Sequence, residues 1–238
     1  MQNLRETDGT PTHRRAIRFH MAKCRTGGTP LHTQLRTEAT TLYNDLKVKE
    51  RAHEDAEDDL VDATAEVETT EIALENAIRD IDNDLQRHDR EHPGMSTRTA
   101  VFPEGFGAVI EPEGDKQLGV LPTLFAKLEP YKNEAWLSAS LAKLTAAEAA
   151  FKAALAAEDA ASDAVDKAFA LETTARAAVR AQLTSAHGRL RDLYKSRPAL
   201  AETFFMKLGR KEGKAKSKPK GDEPGGTPPA GENEPPVA

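Results

Sequence analysis

Apolar and small residues recur at alternating steps of three and four over two long stretches of the chain. In the first stretch, residues 31–92, neither proline nor glycine interrupts the pattern, and Pro93-Gly94 follows it. The spacing is that of one face of a helix, and its persistence indicates a coiled-coil-like seam. It predicts a helix over 31–92, roughly 90 Å long at the usual rise per residue. The seam positions are Leu35, Ala39, Leu42, Leu46, Ala56, Leu60, Ala63, Val67, Leu74, Ile78, Ile81 and Leu85.

The second stretch covers residues 133–197 and ends before Pro198, which cannot continue a helix without loss of a hydrogen bond. Eleven of the nineteen residues from Ala146 to Ala164 are alanine, so this helix buries little area by itself and needs a partner along its length. Its seam is predicted at Leu137, Leu141, Leu144, Phe151, Leu155, Val165, Phe169, Val179, Leu183, Leu190 and Leu193.

These patterns predict an all-α fold with two long antiparallel helices. The pair is either a coiled-coil hairpin or part of a four-helix bundle. Two narrow seams favour dimerisation into the bundle; the alternative is that the long helices break and fold back.

The segment between the helices, 95–131, is rich in turn residues and apolar side chains. Thr99–Phe102 and Ala108–Ile110 flank a Pro-Gly-containing turn, which indicates an irregular cap or small β-hairpin; residues 120–128 predict a short helix with Pro122 in its first turn. The domain is therefore expected to span 31–208. Residues 1–30 are interpreted as a disordered basic arm, and 209–238 as a disordered Lys/Pro/Gly/Glu tail.

Composition favours long helices over a thick globular core. Apolar residues make up 38% of the chain, charged residues 30% and aromatic residues 5%. The net charge of −6 argues against general nucleic-acid binding by the whole chain. No apolar run is long enough for a transmembrane helix, and residues 1–30 lack the apolar core of a secretory signal, so a cytoplasmic location is expected. A single cysteine, Cys24, excludes an internal disulfide and is interpreted as an ordinary reduced thiol.

Residues His88–His92 match the pattern H-x-x-E-H, in which two histidines four apart can bind zinc beside a glutamate base. Here the motif abuts a Pro-Gly stop in a highly charged stretch. The favoured interpretation is a solvated helix C-terminus, where His and Arg complement the helix dipole.

Glu50 and His53 form a Glu-x-x-His pair of the kind that ferritin-like bundles use for di-iron sites. Such a site needs two of these motifs and further glutamates, and the chain has one. His53 falls on the extended apolar seam, and Glu148, Glu158 and Glu172 fall near the opposite seam, so these groups are expected to approach one another if the helices pair.

Two charged segments are candidate interaction sites. Residues 52–78 contain ten Asp or Glu and no Lys or Arg, which indicates a solvated helix face or a docking surface for a basic partner. Seven basic residues lie within 207–220 and can bind a polyanion or an acidic membrane surface, or simply keep a tail soluble.

No P-loop, dinucleotide-binding glycine motif or nucleophile elbow is present. The sequence therefore predicts a non-enzymatic structural or protein-interaction module, a homodimer or a binder of another helical protein, with no assigned catalytic, cofactor or metal residues. The alternatives are a metal-binding helical bundle, through Glu50, His53, His88 or His92, and polyanion or membrane-surface binding through the C-terminal basic cluster.

Overall fold

The computed structural model describes residues 4–208, and helices account for almost all of its regular structure. The all-α prediction is confirmed: the described residues contain no strand, only an isolated bridge between Pro93 and Met95. The described residues also include a 3₁₀ turn at Glu129–Tyr131. The helices are α1 Thr10–Arg25, α2 Pro30–Glu91, α3 Thr97–Val101, α4 Gly107–Ile110, α5 Asp115–Leu128, α6 Ala135–Leu193 and α7 Pro198–Glu202.

Helices α2 and α6 contain 62 and 59 residues and pack against each other over most of their length. The start of α2 contacts the end of α6: Glu38 accepts hydrogen bonds from Arg189 and Gln182. The end of α2 contacts the start of α6, where the Lys143 ammonium lies 2.9 Å from the Asp80 carboxylate. Because the apolar spacing persists through both helices, neither breaks where its core is thin.

The buried apolar side chains fall into two separate clusters. The first, here the α1-end cluster, joins α1, the beginning of α2 and the end of α6, and it includes Ile17, Leu35 and Leu183. The second, the cap-end cluster, joins the end of α2, α3, α5 and the beginning of α6, and it includes Leu74 and Phe151. Each cluster has a third layer of helix over the α2–α6 pair, which explains why only the ends bury side chains completely.

The prediction of a disordered arm at 1–30 is wrong for most of its length, because residues Thr10–Arg25 form α1. Small, apolar and histidine side chains at steps of three and four give this helix a buried face. The abundance of arginine on its other face hides that periodicity. Pro11 stands in the first turn, where its missing N–H costs nothing. The buried face consists of Thr10, His13, Ala16, Ile17, His20 and Cys24.

The β-hairpin version of the cap is also wrong. Segment 95–131 folds as α3, α4 and α5. Val101 and Phe102 are buried in one cluster with Leu121 and Leu124 of α5, so the apolar residues that suggested strands are used to cover the helix pair. The sharp turns between these short helices use two glycines with positive φ angles, 88° at Gly105 and 58° at Gly114.

The tail 209–238 and most of the basic segment 207–220 lie outside the described residues. The last described segment contains α7, after which Phe204 and Phe205 are 7% and 6% exposed against the α1-end cluster.

Candidate functional site

His53 and Glu172 meet, as the opposing seams suggested. The His53 Nδ1 atom lies 2.8 Å from Oε2 of Glu172, whose side chain is buried. The other carboxylate oxygen of Glu172 accepts a hydrogen bond from the Thr10 hydroxyl of α1. One buried carboxylate thus links α1, α2 and α6, and both of its oxygens are engaged by protein groups.

Glu50 does not join that group. Its Oε2 atom lies 2.6 Å from the Arg14 guanidinium of α1, so the Glu-x-x-His pair is divided between two interactions. Glu158 does not join it either, because Glu158 accepts a hydrogen bond from the Thr64 hydroxyl. Among residues 4–208, no cluster of three or more His, Cys, Asp or Glu side chains has the arrangement of a metal site.

His88 and His92 stack on each other at the end of α2, with ring centroids 4.3 Å apart. His88 also stacks on Trp136 at 4.4 Å, and His92 Nδ1 lies 3.0 Å from the His88 carbonyl oxygen. Asp89, inside the same motif, accepts hydrogen bonds from the backbone N–H groups of Thr97 and Arg98. The H-x-x-E-H residues therefore shape the junction between α2, α3 and α6.

The acidic segment occupies the part of α2 that lies between the two apolar clusters. No residue is fully buried between Leu46 and Thr70 of α2 or between Ala154 and Glu172 of α6. The predicted core position Phe169 is 50% exposed, because no third helix of residues 4–208 covers it. The seam positions of α2 in this region are only half-buried: Ala56, Leu60, Ala63 and Val67.

Most acidic side chains of this segment have no counter-charge. The facing part of α6 adds Asp159 and Asp166, which likewise pair with nothing in residues 4–208. Mutual repulsion of these charges is a cost that a cationic partner would remove. Within the described chain, six of the ten acidic residues of 52–78 make no ion pair or side-chain hydrogen bond; these are Glu54, Asp58, Asp59, Asp62, Glu66 and Glu68.

One face of this segment combines apolar and acidic side chains at coiled-coil spacing. Val61 is 68% exposed and Ile72 is 59% exposed. The spacing is that of the a and d positions along one face of a coiled-coil helix, and here that face is exposed. The members of this face, here called the α2 stripe, are all exposed and follow one another at alternating steps of four and three: Glu54, Asp58, Val61, Ala65, Glu68 and Ile72.

Three buried histidines were missed by the sequence reasoning. His13, His20 and His32 are each fully buried, and burial lowers the pKa of all three below the ordinary value of 6.5. Their signal in the sequence is the helical spacing of His13 and His20 with Ile17 and Cys24, which the charge and glycine content of the segment obscured. These side chains help hold α1 and the 198–206 segment in place.

Cys24 lies in this same region, with Sγ 3.5 Å from His20 Nε2, and burial raises its pKa to about 11. Because the thiolate is the reactive form, we expect Cys24 to react with a thiol reagent at neutral pH far more slowly than free cysteine, and to react at the ordinary rate in denaturant. Fast labelling of the native protein in a stopped-flow disulfide-exchange assay would contradict the buried position of Cys24 on α1.

No protein-family model, no curated protein and no solved structure matches this chain. None of the described helices has the combination of length and hydrophobicity needed to cross a membrane.

Proposed function

We propose that the protein is a non-enzymatic interaction module in which the long helices α2 and α6, as an antiparallel pair, present the α2 stripe to a basic helical partner. The observation that carries the proposal is the stripe itself: two exposed aliphatic anchors set among acidic residues at heptad spacing, over a stretch of α2 without a full core. A partner helix would bury Val61 and Ile72 and neutralise Glu54, Asp58 and Glu68.

Charge favours a basic partner over a second copy on this face. Two α2 stripes packed together would bring like charges into contact, which destabilises a helix pair. Apolar anchors supply affinity, and the acidic positions supply register and selectivity. Homodimerisation, the other possibility that the sequence raised, would have to use a different face.

The test uses a synthetic lysine-rich amphipathic helix with leucine at its a and d positions, and fluorescence anisotropy of the labelled peptide. The substitutions Glu54→Gln, Asp58→Asn and Glu68→Gln together remove three charges from the stripe. The matched control removes three charges from a face rotated by roughly 110° on the same helix, with Asp59→Asn, Asp62→Asn and Glu66→Gln.

We expect the stripe variant to bind the peptide at least about tenfold more weakly, which corresponds to about 1.4 kcal/mol. The control variant should bind within about twofold of the unmodified chain, because its charges lie off the face that the partner covers. Equal weakening by both variants would show general electrostatic attraction and would overturn the proposal that the α2 stripe is the docking face.

An apolar pair of variants tests the anchors separately. Val61→Ala with Ile72→Ala is expected to weaken peptide binding by about tenfold or more, since burial of each methylene group contributes about 0.8 kcal/mol. Val48→Ala, at a position that is 62% exposed but off the stripe, is the control and should leave affinity unchanged.

Light scattering behind size exclusion tests for a homodimer that uses this face. A stable dimer abolished by the stripe substitutions would overturn the proposal.

A further inference from the structure

Basic and acidic residues of the described chain are concentrated in different regions of α1 and α2. Residues 9–37 contain six basic residues and no Asp or Glu, whereas residues 52–78 have the opposite composition. The basic region comprises α1 and the first two turns of α2, where the two helices pack together. The net charge of −6 therefore conceals a strongly positive surface at the α1 end.

Two grooves run along the seam between α1 and α2, and arginines line both. The larger, about 330 Å³, lies between Arg25 of α1 and Arg36 of α2, with threonines of α2 at its wall. The second, about 230 Å³, lies between Arg14 and Arg18 of α1 and Tyr43 of α2, with Arg15 beside them. Since residues 14, 18 and 25 are four and seven apart, they share the side of α1 that faces the seam.

Four of these arginines have free guanidinium groups. They are exposed, and none of them makes an ion pair or side-chain hydrogen bond within residues 4–208. Two carboxylates on this part of α2 are already engaged, because Glu50 pairs with Arg14 and Glu38 pairs with Arg189. The structure thus holds several unneutralised guanidinium groups in a row of about 15 Å along α1. The four are Arg15, Arg18, Arg25 and Arg36.

We infer that this α1–α2 groove binds the phosphate backbone of a nucleic acid without regard to base sequence. Guanidinium groups form paired hydrogen bonds to phosphate oxygens, and a line of them matches a polymer whose charges repeat along its length. Tyr43 is the one aromatic ring among the residues that line the two grooves, so base stacking is a minor part of the interaction.

An anionic membrane is the less suitable ligand. Helices that lie in a membrane surface carry exposed Trp, Phe or Leu beside their basic residues. None of the large apolar side chains exposed in the described chain belongs to α1; they are Val48, Val61, Ile72, Met95, Phe169, Leu171, Leu193 and Leu200.

The inference is independent of the proposed docking of a basic helix, because it concerns another face and the opposite charge. The test measures binding of the full chain to fluorescein-labelled double-stranded and single-stranded oligonucleotides of several sequences, by anisotropy, at a series of salt concentrations. Vesicles of phosphatidylserine and a polyglutamate peptide are compared as other polyanions.

Two variants remove four charges each. The first, the groove variant, replaces exposed arginines, so its fold should persist. Far-ultraviolet circular dichroism checks that its helicity is unchanged. The groove variant carries Arg15→Gln, Arg18→Gln, Arg25→Gln and Arg36→Gln, and the tail variant carries Lys214→Gln, Lys216→Gln, Lys218→Gln and Lys220→Gln.

We expect oligonucleotide affinity to fall by at least about tenfold at low salt in the groove variant, with the slope of log affinity against log salt reduced by about one for each arginine lost. The tail variant should change affinity by less than about threefold, because the residues that line the two grooves belong to α1, α2 and the turn between them. A loss confined to the tail variant, an equal loss in both, tighter binding to vesicles or polyglutamate than to oligonucleotides, or no binding at all would each overturn the inference.

Discussion

Replacing Phe151 with alanine is expected to lower the free energy of unfolding of the cap-end cluster by about 3–5 kcal/mol. Phe151 is completely buried and packs within the apolar cluster formed by the end of α2, α5 and the start of α6. Truncation of so large a buried ring leaves a cavity that rigid helices cannot close. Urea unfolding followed by circular dichroism measures the loss.

Phe169→Ala provides the matched control, because the same substitution is made on the same helix at a side chain that is 50% exposed. Phe169 contacts His53 at a distance of 5.4 Å between ring centroids, and the Arg176 guanidinium lies 5.6 Å from the centroid of its ring. It belongs to neither apolar cluster of the described chain. We expect its loss to cost about 1 kcal/mol.

The separation of the two clusters makes the Phe151 effect local. Hydrogen exchange should quicken at the amides around Leu85 and Leu144 in the cap-end cluster, and should change little around Leu35 and Leu183 in the α1-end cluster. Equal acceleration in both regions would mean that α2 and α6 transmit cooperativity through their thinly packed middle, contrary to this expectation.

Acidification from pH 7 to pH 5 is expected to lower the free energy of unfolding of the α1-end cluster. The pKa values of His13, His20 and His32 are lowered chiefly by burial. The unfolded chain therefore binds protons near pH 6.5 while the folded chain resists them. Stability from these groups is fully present above pH 6.5 and decreases as pH falls towards the lower folded pKa values, by at most about 1.4 kcal/mol per pH unit for each histidine.

The surroundings of the three rings explain why protonation is unfavourable. His20 stacks on Phe205 at 5.0 Å, and burial lowers its pKa although the Phe204 carbonyl oxygen, 3.3 Å from its Nδ1 atom, favours the protonated ring. His32 stacks on Phe204, also at 5.0 Å. The pKa of His13 is lowered first by burial and then by the positive charges of two arginines of α6, although the Gly9 carbonyl and Asp8 oppose them; the arginines are Arg180 and Arg176.

Carboxylates change the stability of the protein at lower pH than these histidines do. The pKa of Glu38 is reduced below its usual value: burial opposes the reduction, but hydrogen bonds from Gln182, Arg189 and Gln34 outweigh it. Its contribution to stability is present above pH 4.5 and is lost as pH falls below that value. Glu38 therefore does not account for stability lost between pH 6.5 and pH 5.

Urea midpoints across this pH range check the prediction. His20→Gln should reduce the pH slope of stability by up to about 1.4 kcal/mol per unit, even though it also weakens the protein at pH 7. His92→Gln, at an exposed position, serves as the control and should leave the slope as it was. A slope unchanged by His20→Gln would show that proton uptake elsewhere causes the acid sensitivity.

The contact between His53 and Glu172 shows how far sequence reasoning reaches into the candidate sites. Periodicity places both residues near facing seams, so their approach follows once the helices pair. Their other contacts cannot be predicted in this way. Thr10 donates a hydrogen bond to the Glu172 carboxylate, and Arg14 pairs with the Glu50 carboxylate. Thr10 and Arg14 both belong to a segment whose composition indicates disorder. The sequence suggests a metal site because it does not reveal those two partners.

The α2 stripe is visible in the sequence only as an excess of acidic residues. Val61 and Ile72 lie off the main seam. Their heptad spacing with the acidic positions defines a surface only because another side of α2 packs against α6. Similarly, the arginines of α1 and Arg36 are far enough apart in sequence that only the packing of α1 on α2 assembles them along one seam.

The sequence by itself determined the helical class and the extents of α2 and α6 to within a few residues, because helix periodicity and proline or glycine stops are local properties of the chain. Tertiary structure decided where the core is complete. In the part of the chain that the structure describes, a third layer of helix covers α2 and α6 only at their ends, so Phe151 is buried while Phe169 on the same predicted seam is half exposed. Burial depends on what lies across from a side chain, and that neighbour comes from a distant part of the sequence.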